Sequence, residues 1–368
     1  MKILITGANG QLGLTLKDVF AGDDLILTDK DELDITDAKA VDNFVEVKKP
    51  DVLINAAAYT AVDQAEIDKA LARKINVDGA ANLASAAKKF NALFFHVSTD
   101  FVFDGKKSEP YIETDEPKPL SEYGRTKLGS EIAVEKIGGR YFILRTAWLY
   151  SPFGKNFVKT IARLGKEKKE LKVVSDQVGC PTYTYDLALT IKQLAVRSMQ
   201  LAEISQPPTA DSKPEFGLYH YAGDGQCSWF EFAQEIVKLS GGRAKVLPQT
   251  SFEYAASRGD AITAERPAYS VLDCSKIRKL GIKTPPWQES LKKCIEILKS
   301  NTQLGTNSPY HFLKDDPLAI ESEFGEQLMK RVSKRKPTEI LEIGTGHGYS
   351  TAWIMLGLIK EGKKSHIT

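Results

Sequence analysis

The sequence predicts an α/β protein built on a doubly wound parallel sheet. A short apolar run, Ile3-Leu4-Ile5, has the composition of a buried strand and breaks into a glycine-containing loop. A helical pattern follows, and further apolar runs alternate with amphipathic stretches as far as about residue 145. Strands separated by helices form a parallel sheet covered on both faces, so a Rossmann-type architecture is expected.

Length and composition narrow the class of protein. A chain of 368 residues is too long for one small hydrophobic core, so two or three domains are expected. A net charge of +2 gives no bias toward nucleic acid or a membrane surface, so neither is expected as a partner. The four cysteines lie far apart and the five histidines show no ligand spacing, so we expect reduced thiols and no metal site. Without a signal peptide or a spanning apolar run, a cytoplasmic location is expected.

The glycine loop is the first candidate site. Gly7, Gly10 and Gly13 lie between the first strand and the first helix. Glycines let the backbone approach a dinucleotide pyrophosphate, and a helix N-terminus supplies free N–H groups. The spacing Gly-x-x-Gly-x-x-Gly differs from the general Gly-x-Gly-x-x-Gly fingerprint. Taken alone, the loop therefore fits a nucleotide site and an ordinary strand-to-helix turn equally well.

The second strand, Asp24 to Thr28, carries the residues that bear on cofactor choice. Asp29 follows it, about 20 residues after the glycine loop, where dinucleotide folds meet the adenosine ribose. An acid there favours the free 2′-hydroxyl of NADH, whereas the neighbouring Lys30 could accept the 2′-phosphate of NADPH. Both cofactors therefore remain open.

The third and fourth strands end in polar or small residues. The run from Val52 leads into Asn55-Ala-Ala-Ala-Tyr-Thr-Ala-Val-Asp63, whose small side chains allow a flat cofactor to pass close to the backbone. The run Leu93 to Val97 leads into Ser98-Thr-Asp-Phe-Val-Phe-Asp-Gly105. Open α/β sheets place their ligands at these carboxyl ends of the strands.

Tyr123 and Lys127 are the candidate catalytic pair. They are four residues apart in a helical stretch that runs from Ser121 to about Lys136, so they share one face. A nearby ammonium favours the phenolate, so we expect a lowered Tyr123 pKa and a tyrosine that exchanges protons near neutrality. The spacing alone occurs by chance. Its position after the glycine loop and the two polar strand ends distinguishes this pair.

That order of motifs resembles the extended branch of the short-chain dehydrogenase/reductase superfamily, and in detail the dTDP-4-dehydrorhamnose reductase family. The resemblance covers residues 1 to about 300. It rests on several stretches: 55–66, 98–105, 145–150 (Arg-Thr-Ala-Trp-Leu-Tyr), 176–182 (Asp-Gln-Val-Gly-Cys-Pro-Thr), 217–225, 228–232, and the late Arg266-Pro267, Ser270, Asp273 and 281–285.

The resemblance implies a role for each site residue. The implied cofactor is NADPH or NADH, and the implied substrate is a nucleotide sugar. The resemblance places Gly10, Gln11 and Leu12 at the phosphates, Asp34 and Ile35 on the adenosine side, and Ala57, Ala58 and Tyr59 at the nicotinamide half. With Gly7, Gly13, Asp29 and Lys30 from the strand and loop pattern, and with Tyr123 and Lys127, these residues are the expected cofactor contacts. The implied catalytic residues are Tyr123, Lys127 and Thr99, and Thr99, Asp100 and Trp148 face the substrate.

The implied reaction reduces the C4 ketone of dTDP-4-dehydro-L-rhamnose, with Tyr123 as proton donor. Two alternatives remain open. One is another extended short-chain epimerase or dehydratase, although dehydratases typically carry Thr-Asp-Glu where Thr99-Asp100 is followed here by Phe101. The other is a non-catalytic, cofactor-binding regulatory subunit.

Thr15 departs from the family pattern. Some members form a magnesium-bridged dimer through a glutamate two residues after the third glycine, and here that position is Thr15. We therefore expect no structural magnesium and a monomer or weak homodimer.

The expected domain division follows these patterns. Residues 1–150 form the dinucleotide-binding domain, with return segments at about 176–198 and 215–226. Residues 151–175 and 227–300 form a substrate-binding lobe, 301–309 a linker, and 310–368 a partial α/β segment. In the last segment, Glu342, Gly344, Gly346 and Gly348 resemble the first motif of class I S-adenosylmethionine-dependent methyltransferases. Most of such a fold is absent, which favours a truncated or vestigial segment without activity.

Overall fold

The computed structural model describes residues 1–203, 215–259 and 262–304. Within these ranges the strands are β1 (Lys2–Thr6), β2 (Asp24–Thr28), β3 (Val52–Asn55), β4 (Leu93–Thr99), β5 (Tyr141–Thr146), β6 (Leu149–Tyr150), β7 (Glu170–Val174), β8 (Val178–Gly179), β9 (Thr182–Tyr183), β10 (Gly217–His220), β11 (Cys227–Ser228) and β12 (Lys245–Gln249).

The helices of the same ranges are α1 (Gln11–Val19), α2 (Ala38–Lys48), α3 (Val62–Ala65), α4 (Lys69–Arg73), α5 (Gly79–Lys89), α6 (Glu122–Ile137), α7 (Phe157–Glu167), α8 (Thr184–Glu203), α9 (Trp229–Ser240), α10 (Ser251–Ser257), α11 (Ser275–Arg278) and α12 (Trp287–Leu304). A π-helical stretch, Lys74–Asp78, joins α4 to α5.

The predicted parallel sheet is confirmed. Six strands pair in the order β10–β5–β4–β3–β1–β2, and every pairing is parallel. The chain builds outward from β1 to β2 and then crosses to β3 on the other side of β1. This change of direction opens a crevice beyond the carboxyl ends of β1 and β3, where doubly wound sheets bind their ligands.

The core lies on both faces of this sheet. Successive side chains of a strand point to opposite faces, and the two hydrophobic clusters follow that alternation. Ile3 and Ile5 belong to one cluster, whereas Leu4 packs with Leu53 and Phe94 in the other. Burial on both faces explains why these strands read as continuous apolar runs in the sequence.

Helix α1 covers one face together with α8, and Thr15 lies in their contact. The Thr15 hydroxyl donates to the Gln11 carbonyl oxygen at 2.8 Å and is 2.8 Å from the Thr184 hydroxyl. Thr15 is buried. Helices α2, α5 and α6 cover the opposite face.

The second half of the chain supplies a smaller unit beside the sheet. Strands β7 and β12 pair in parallel, and α7 packs against α9. Asp63 ties this unit to the first half: its carboxylate accepts hydrogen bonds from Arg258 at 2.6 Å and from Arg266 at 2.8 Å. These bonds cross between α3 and the segment that follows α10.

Of the predicted C-terminal linker and partial α/β segment, the structure describes only the first residues of the linker. Helix α12 continues to Leu304, four residues into the predicted linker. The methyltransferase-like segment, with Glu342 and its glycines, lies outside the described residues. All four cysteines are buried and free. In the described part of the chain, no helix has the length and apolar character needed to cross a membrane.

A buried ion pair joins α6 to the sheet. The Arg145 guanidinium on β5 donates to Glu131 on α6 with nitrogen–oxygen distances of 2.6, 3.0 and 3.1 Å. Both side chains are only 3% exposed. The Ser98 hydroxyl on β4 also donates to the Glu131 carboxylate. One carboxylate therefore connects two adjacent strands to the helix that carries Tyr123 and Lys127.

We expect Glu131→Gln to lower the free energy of unfolding by about 3–5 kcal/mol, because it leaves the Arg145 charge buried without its counter-ion. The matched control is Glu167→Gln, which breaks the exposed Glu167–Arg163 pair of α7. That change is expected to cost less than about 1 kcal/mol. Urea unfolding of both variants measures the difference, and equal losses would contradict the role given to Glu131.

Candidate active site

A cavity of about 950 Å³ lies over the carboxyl ends of β1, β3, β4 and β5. It gathers most of the sequence-predicted site residues, and two are not among its lining. Gly13 packs beneath the glycine turn, and the Tyr59 hydroxyl donates to Asp68 at 2.9 Å. The predicted residues that line the cavity are Gly7, Gly10, Gln11, Leu12, Asp29, Lys30, Asp34, Ile35, Ala57, Ala58, Thr99, Asp100, Tyr123, Lys127 and Trp148.

The glycine turn needs its glycines for close backbone approach. Gly7 has φ +68°, and a Cβ there would lie 2.7 Å from the Ala57 nitrogen. A Cβ on Gly13 would lie 2.3 Å from the Gly7 carbonyl oxygen. Gly13 therefore lets α1 begin directly against the turn, which explains its place beneath the cavity rather than in its lining.

The start of α1 is suited to a phosphate group. Its N-cap residue is Gly10, which has no side chain to accept from the helix N–H groups, and its first turn carries no acidic residue. The N–H groups of a first helical turn have no partners within the helix. Gln11 Oε1 and Thr146 Oγ1 are also buried and have no hydrogen-bond partner among the described residues, and both residues line the cavity. These features fit a dinucleotide, which would supply acceptors to the helix N–H groups and donors to the two oxygens.

Acidic and basic side chains meet at the end of the cavity where the sequence predicted the adenosine. Asp29 accepts from the backbone nitrogens of Asn9 at 3.1 Å and Lys30 at 2.9 Å. Hydrogen bonds from Thr36 lower the pKa of Asp34, and Lys74 and Lys30 contribute in the same direction. Lys74 was not predicted from the sequence, because the π-helical stretch brings it to the cavity from far along the chain.

Helix α6 presents Tyr123 and Lys127 one turn apart. The Ser121 hydroxyl caps the helix by accepting from the Gly124 nitrogen at 3.2 Å. Burial raises the pKa of Tyr123 to about 12; the nearby Asp100 carboxylate adds to this rise and a hydrogen bond with the Thr99 side chain opposes it. The predicted lowering of the Tyr123 pKa is therefore wrong, because the sequence spacing does not reveal how completely the phenol is buried.

Lys127 is held by the backbone of β4. Its ammonium donates to the Val97 carbonyl oxygen at 2.6 Å. Burial lowers the pKa of Lys127 to about 8, and the Glu131 carboxylate acts in the opposite direction. Lys127 thus lies beside the strand that carries Thr99, and its charge is partly offset by the carboxylate that anchors α6.

The end of β4 carries a short chain of hydrogen bonds. Thr99 Oγ1 donates to Asp100 Oδ1 at 3.0 Å and accepts from the Phe101 nitrogen at 3.2 Å. The Ser270 hydroxyl donates to the other oxygen of Asp100 at 2.5 Å. Burial raises the pKa of Asp100 to about 6, although both hydroxyl donors favour its charged form.

Two stacked tryptophans form one wall of the cavity. Trp148 has φ +47°, a conformation that is costly for a residue with a Cβ. Its ring stacks on Trp229, with centroids 3.5 Å apart and planes at 9°. A Cβ on Gly179 would lie 2.6 Å from the Trp148 ring, so the glycine makes room for the stack. Sequence reasoning missed Trp229, although Ser228 to Phe232 was among the matched stretches.

Sequence reasoning also missed a polar network beneath the site. Asn55 Oδ1 accepts from the Thr6 hydroxyl at 2.9 Å and from the Ala57 nitrogen at 3.1 Å. Its amide nitrogen lies 3.2 Å from His96 Nδ1, and His96 Nε2 lies 2.8 Å from the Ser130 hydroxyl. The available signal was the presence of polar residues inside strands that are otherwise apolar.

Comparison with known proteins identifies the family. The family model described as RmlD substrate binding domain matches residues 1–300. The chain belongs to this family. It is 40% identical over 296 residues to the dTDP-4-dehydrorhamnose reductase of Aggregatibacter actinomycetemcomitans, an alignment that covers 79% of this chain and 97% of that protein.

Solved structures of the family share the fold. A dTDP-4-dehydrorhamnose reductase from Clostridium acetobutylicum is 44% identical with a TM-score of 0.73. A dTDP-4-dehydrorhamnose reductase from Bacillus anthracis, solved in complex with NADP, is 39% identical with the same TM-score. Each alignment covers 81% of this chain and all of the other. The sequence-based identification of the family is confirmed.

Gly7→Ala tests the glycine turn. We expect it to lose about 1–2 kcal/mol of stability from left-handed strain. Contact with Ala57 should in addition weaken NADPH binding at least about tenfold, which corresponds to 1.4 kcal/mol. Gly241→Ala is the matched control, since Gly241 has φ +74° with open space around it and caps α9. Thermal unfolding and NADPH fluorescence titration compare the two variants. Equal NADPH affinities would show that the turn does not seat the dinucleotide.

Proposed function

We propose that this protein reduces the C4 ketone of dTDP-4-dehydro-L-rhamnose to dTDP-L-rhamnose, with NADPH or NADH, in dTDP-rhamnose biosynthesis. The observation that carries the proposal is the meeting of Tyr123, Thr99 and Lys127 in one cavity with an uncapped glycine turn. The substrate assignment is supported by relatives of the family that are named dTDP-4-dehydrorhamnose reductase. When bound, the nicotinamide supplies the hydride that reduces the carbonyl carbon.

Tyr123 serves as the proton donor in this proposal. Its raised pKa keeps the phenol protonated at neutral pH, so the proton is available when negative charge develops on the ketone oxygen. Thr99 lies beside it and would offer a second donor to the same oxygen by turning its hydroxyl proton from Asp100 to the substrate. Donors aimed at that oxygen stabilise charge that exists only in the transition state.

Lys127 orients the ribose side of the cofactor. Its ammonium retains donors beyond the one engaged by Val97, because an ammonium carries three. Gly7, Gly10, Gln11 and Leu12 would hold the pyrophosphate at the start of α1. Asp29, Lys30, Asp34 and Ile35 would flank the adenosine, and Ala57 and Ala58 the nicotinamide half.

The substrate would enter between the sheet and the smaller unit formed by residues 151–175 and 227–300. Trp148 from the sheet side and Trp229 from the smaller unit stack on each other in one wall of this cleft, and both line the cavity. Clefts between two structural units are common sites for small molecules. We assign the nucleotide sugar to this wall, with Trp148 and Asp100 as its proposed neighbours.

The remaining properties are also proposals. We infer a cytoplasmic location, supported by four buried cysteines that form no disulfide. We infer a monomer or weak homodimer without a bridging magnesium, because Thr15 is buried between α1 and α8 and offers no carboxylate. No nucleic acid or membrane partner is proposed.

Tyr123→Phe tests the proposed chemistry. We expect NADPH binding close to wild type, because the phenyl ring is retained, and a turnover number at least about 100-fold lower, because the proton donor is lost. NADPH oxidation with dTDP-4-dehydro-L-rhamnose, followed by absorbance, measures it. Turnover equal to that of the wild type would remove Tyr123 as the acid.

A further inference from the structure

Residues 151–156, which connect β6 to α7, lie against the start of α1. A Cβ built on Gly154 would lie 3.5 Å from Gln11 Cβ and 3.8 Å from the Gln11 backbone nitrogen. The Gln11 side-chain nitrogen donates to the Leu149 carbonyl oxygen at 3.2 Å. Gly154 and the next residue, Lys155, line the cavity, as Gln11 does. The 151–156 loop therefore borders the cavity at the first turn of α1.

Hydrogen bonds within the loop fix its path. Asn156 donates through its side-chain nitrogen to the carbonyl oxygens of Ser151 at 2.8 Å and Phe153 at 3.1 Å. The same side chain caps α7, because its oxygen accepts from the Lys159 backbone nitrogen at 3.1 Å. Gly154 has φ +60°, a conformation that glycine adopts without steric cost. The backbone of the loop is therefore held in place against α1.

Lys155 differs from the other basic residues of the cavity. Its side chain is exposed, and among the described residues it takes part in no ion pair. The other lysines in the lining are Lys30, which follows β2, Lys74 in the π-helical stretch, and Lys127, whose ammonium is bound to the backbone of β4. Lys155 is the lysine of these four that belongs to the loop against α1.

We propose that Lys155 binds the diphosphate of the nicotinamide cofactor, to which it presents a cation from the smaller unit. The first turn of α1 offers N–H groups without partners in the helix and the positive end of the helix dipole. That turn carries no acidic side chain that would compete for the ammonium. The negative charges of the diphosphate would lie between the helix start and the Lys155 ammonium. The inference rests on the proposed function and adds a residue to its cofactor site.

The position of the loop favours the cofactor diphosphate over that of the sugar nucleotide. Gly154 touches the residue that begins α1, and the start of a helix is where phosphate groups bind. The tryptophan wall assigned to the sugar nucleotide contacts the chain further along. There the Phe157 ring centroid lies 4.6 Å from that of Trp229. Because one short segment reaches both places, the test compares the two diphosphates directly.

Titrations of the full-length protein with NADPH, NADH and dTDP test the inference. NADPH and NADH share the cofactor diphosphate, whereas dTDP carries the diphosphate of the sugar nucleotide. We expect Lys155→Gln to weaken both coenzymes equally, by about tenfold, the low end for a charged hydrogen bond because the site is exposed. The affinity for dTDP should stay within about twofold of wild type. Coenzyme fluorescence and, for dTDP, calorimetry measure these affinities.

Three comparisons separate the charge of Lys155 from a structural effect. Lys155→Arg keeps the cation and should keep most of the NADPH affinity. Lys166→Gln removes an exposed lysine of α7 that does not line the cavity, and it should leave all three affinities unchanged. The loss in Lys155→Gln should shrink as salt is raised to about 1 M, because salt screens exposed charges. In turnover, KM for NADPH should rise while kcat stays close to wild type.

Unchanged coenzyme affinities in Lys155→Gln, or a loss confined to dTDP, would overturn the inference. A loss with NADPH alone would also contradict it, since that result would assign Lys155 to the 2′-phosphate. An equal loss in Lys166→Gln would show a general charge effect and remove the specific role. The proposed reductase activity fails separately, if the wild type binds the coenzymes and does not reduce the sugar, and the binding comparison would still decide the role of Lys155.

Discussion

The buried carboxylate of Glu131 is the constraint on which the active-site geometry depends. It accepts three hydrogen bonds from Arg145 on β5 and one from Ser98 on β4, so α6 is fixed in both position and rotation against the sheet. Tyr123 and Lys127 lie on this helix, and Thr99 follows Ser98 directly on the strand. A charge buried at this depth is strongly destabilising without its partner, which makes the arrangement of helix and strands an all-or-none feature.

A second set of hydrogen bonds connects α6 to the glycine turn at the end of β1. Asn55 connects the ends of β1 and β3 through Thr6 and the Ala57 nitrogen, and His96 continues the connection to Ser130 on α6. Burial and the Lys127 charge hold the pKa of His96 well below its usual range, so this link stays neutral. The glycine turn and α6 are therefore positioned by one continuous polar layer beneath the cavity.

Much of this architecture could be predicted from the sequence. The five strands from β1 to β5 and the helix that starts after Ser121 follow from apolar runs that alternate with helical patterns. Most of the site residues were predicted from the glycine, small and polar residues that follow the carboxyl ends of the strands. Trp229 and Lys74 could not be found this way, because they reach the cavity through packing of distant segments. The predicted lowering of the Tyr123 pKa was wrong for a related reason. The spacing placed Lys127 on the same helix face, but it did not reveal the burial that raises the Tyr123 pKa.

The proposed reduction is tested most directly by following the hydride itself. The protein is supplied with dTDP-4-dehydro-L-rhamnose and NADPH that carries deuterium at the transferable position, and the product sugar is examined by NMR and mass spectrometry. The account predicts dTDP-L-rhamnose with one deuterium at C4 and one NADPH consumed for each product. Conversion of the sugar without consumption of NADPH, or deuterium at another carbon, would contradict it.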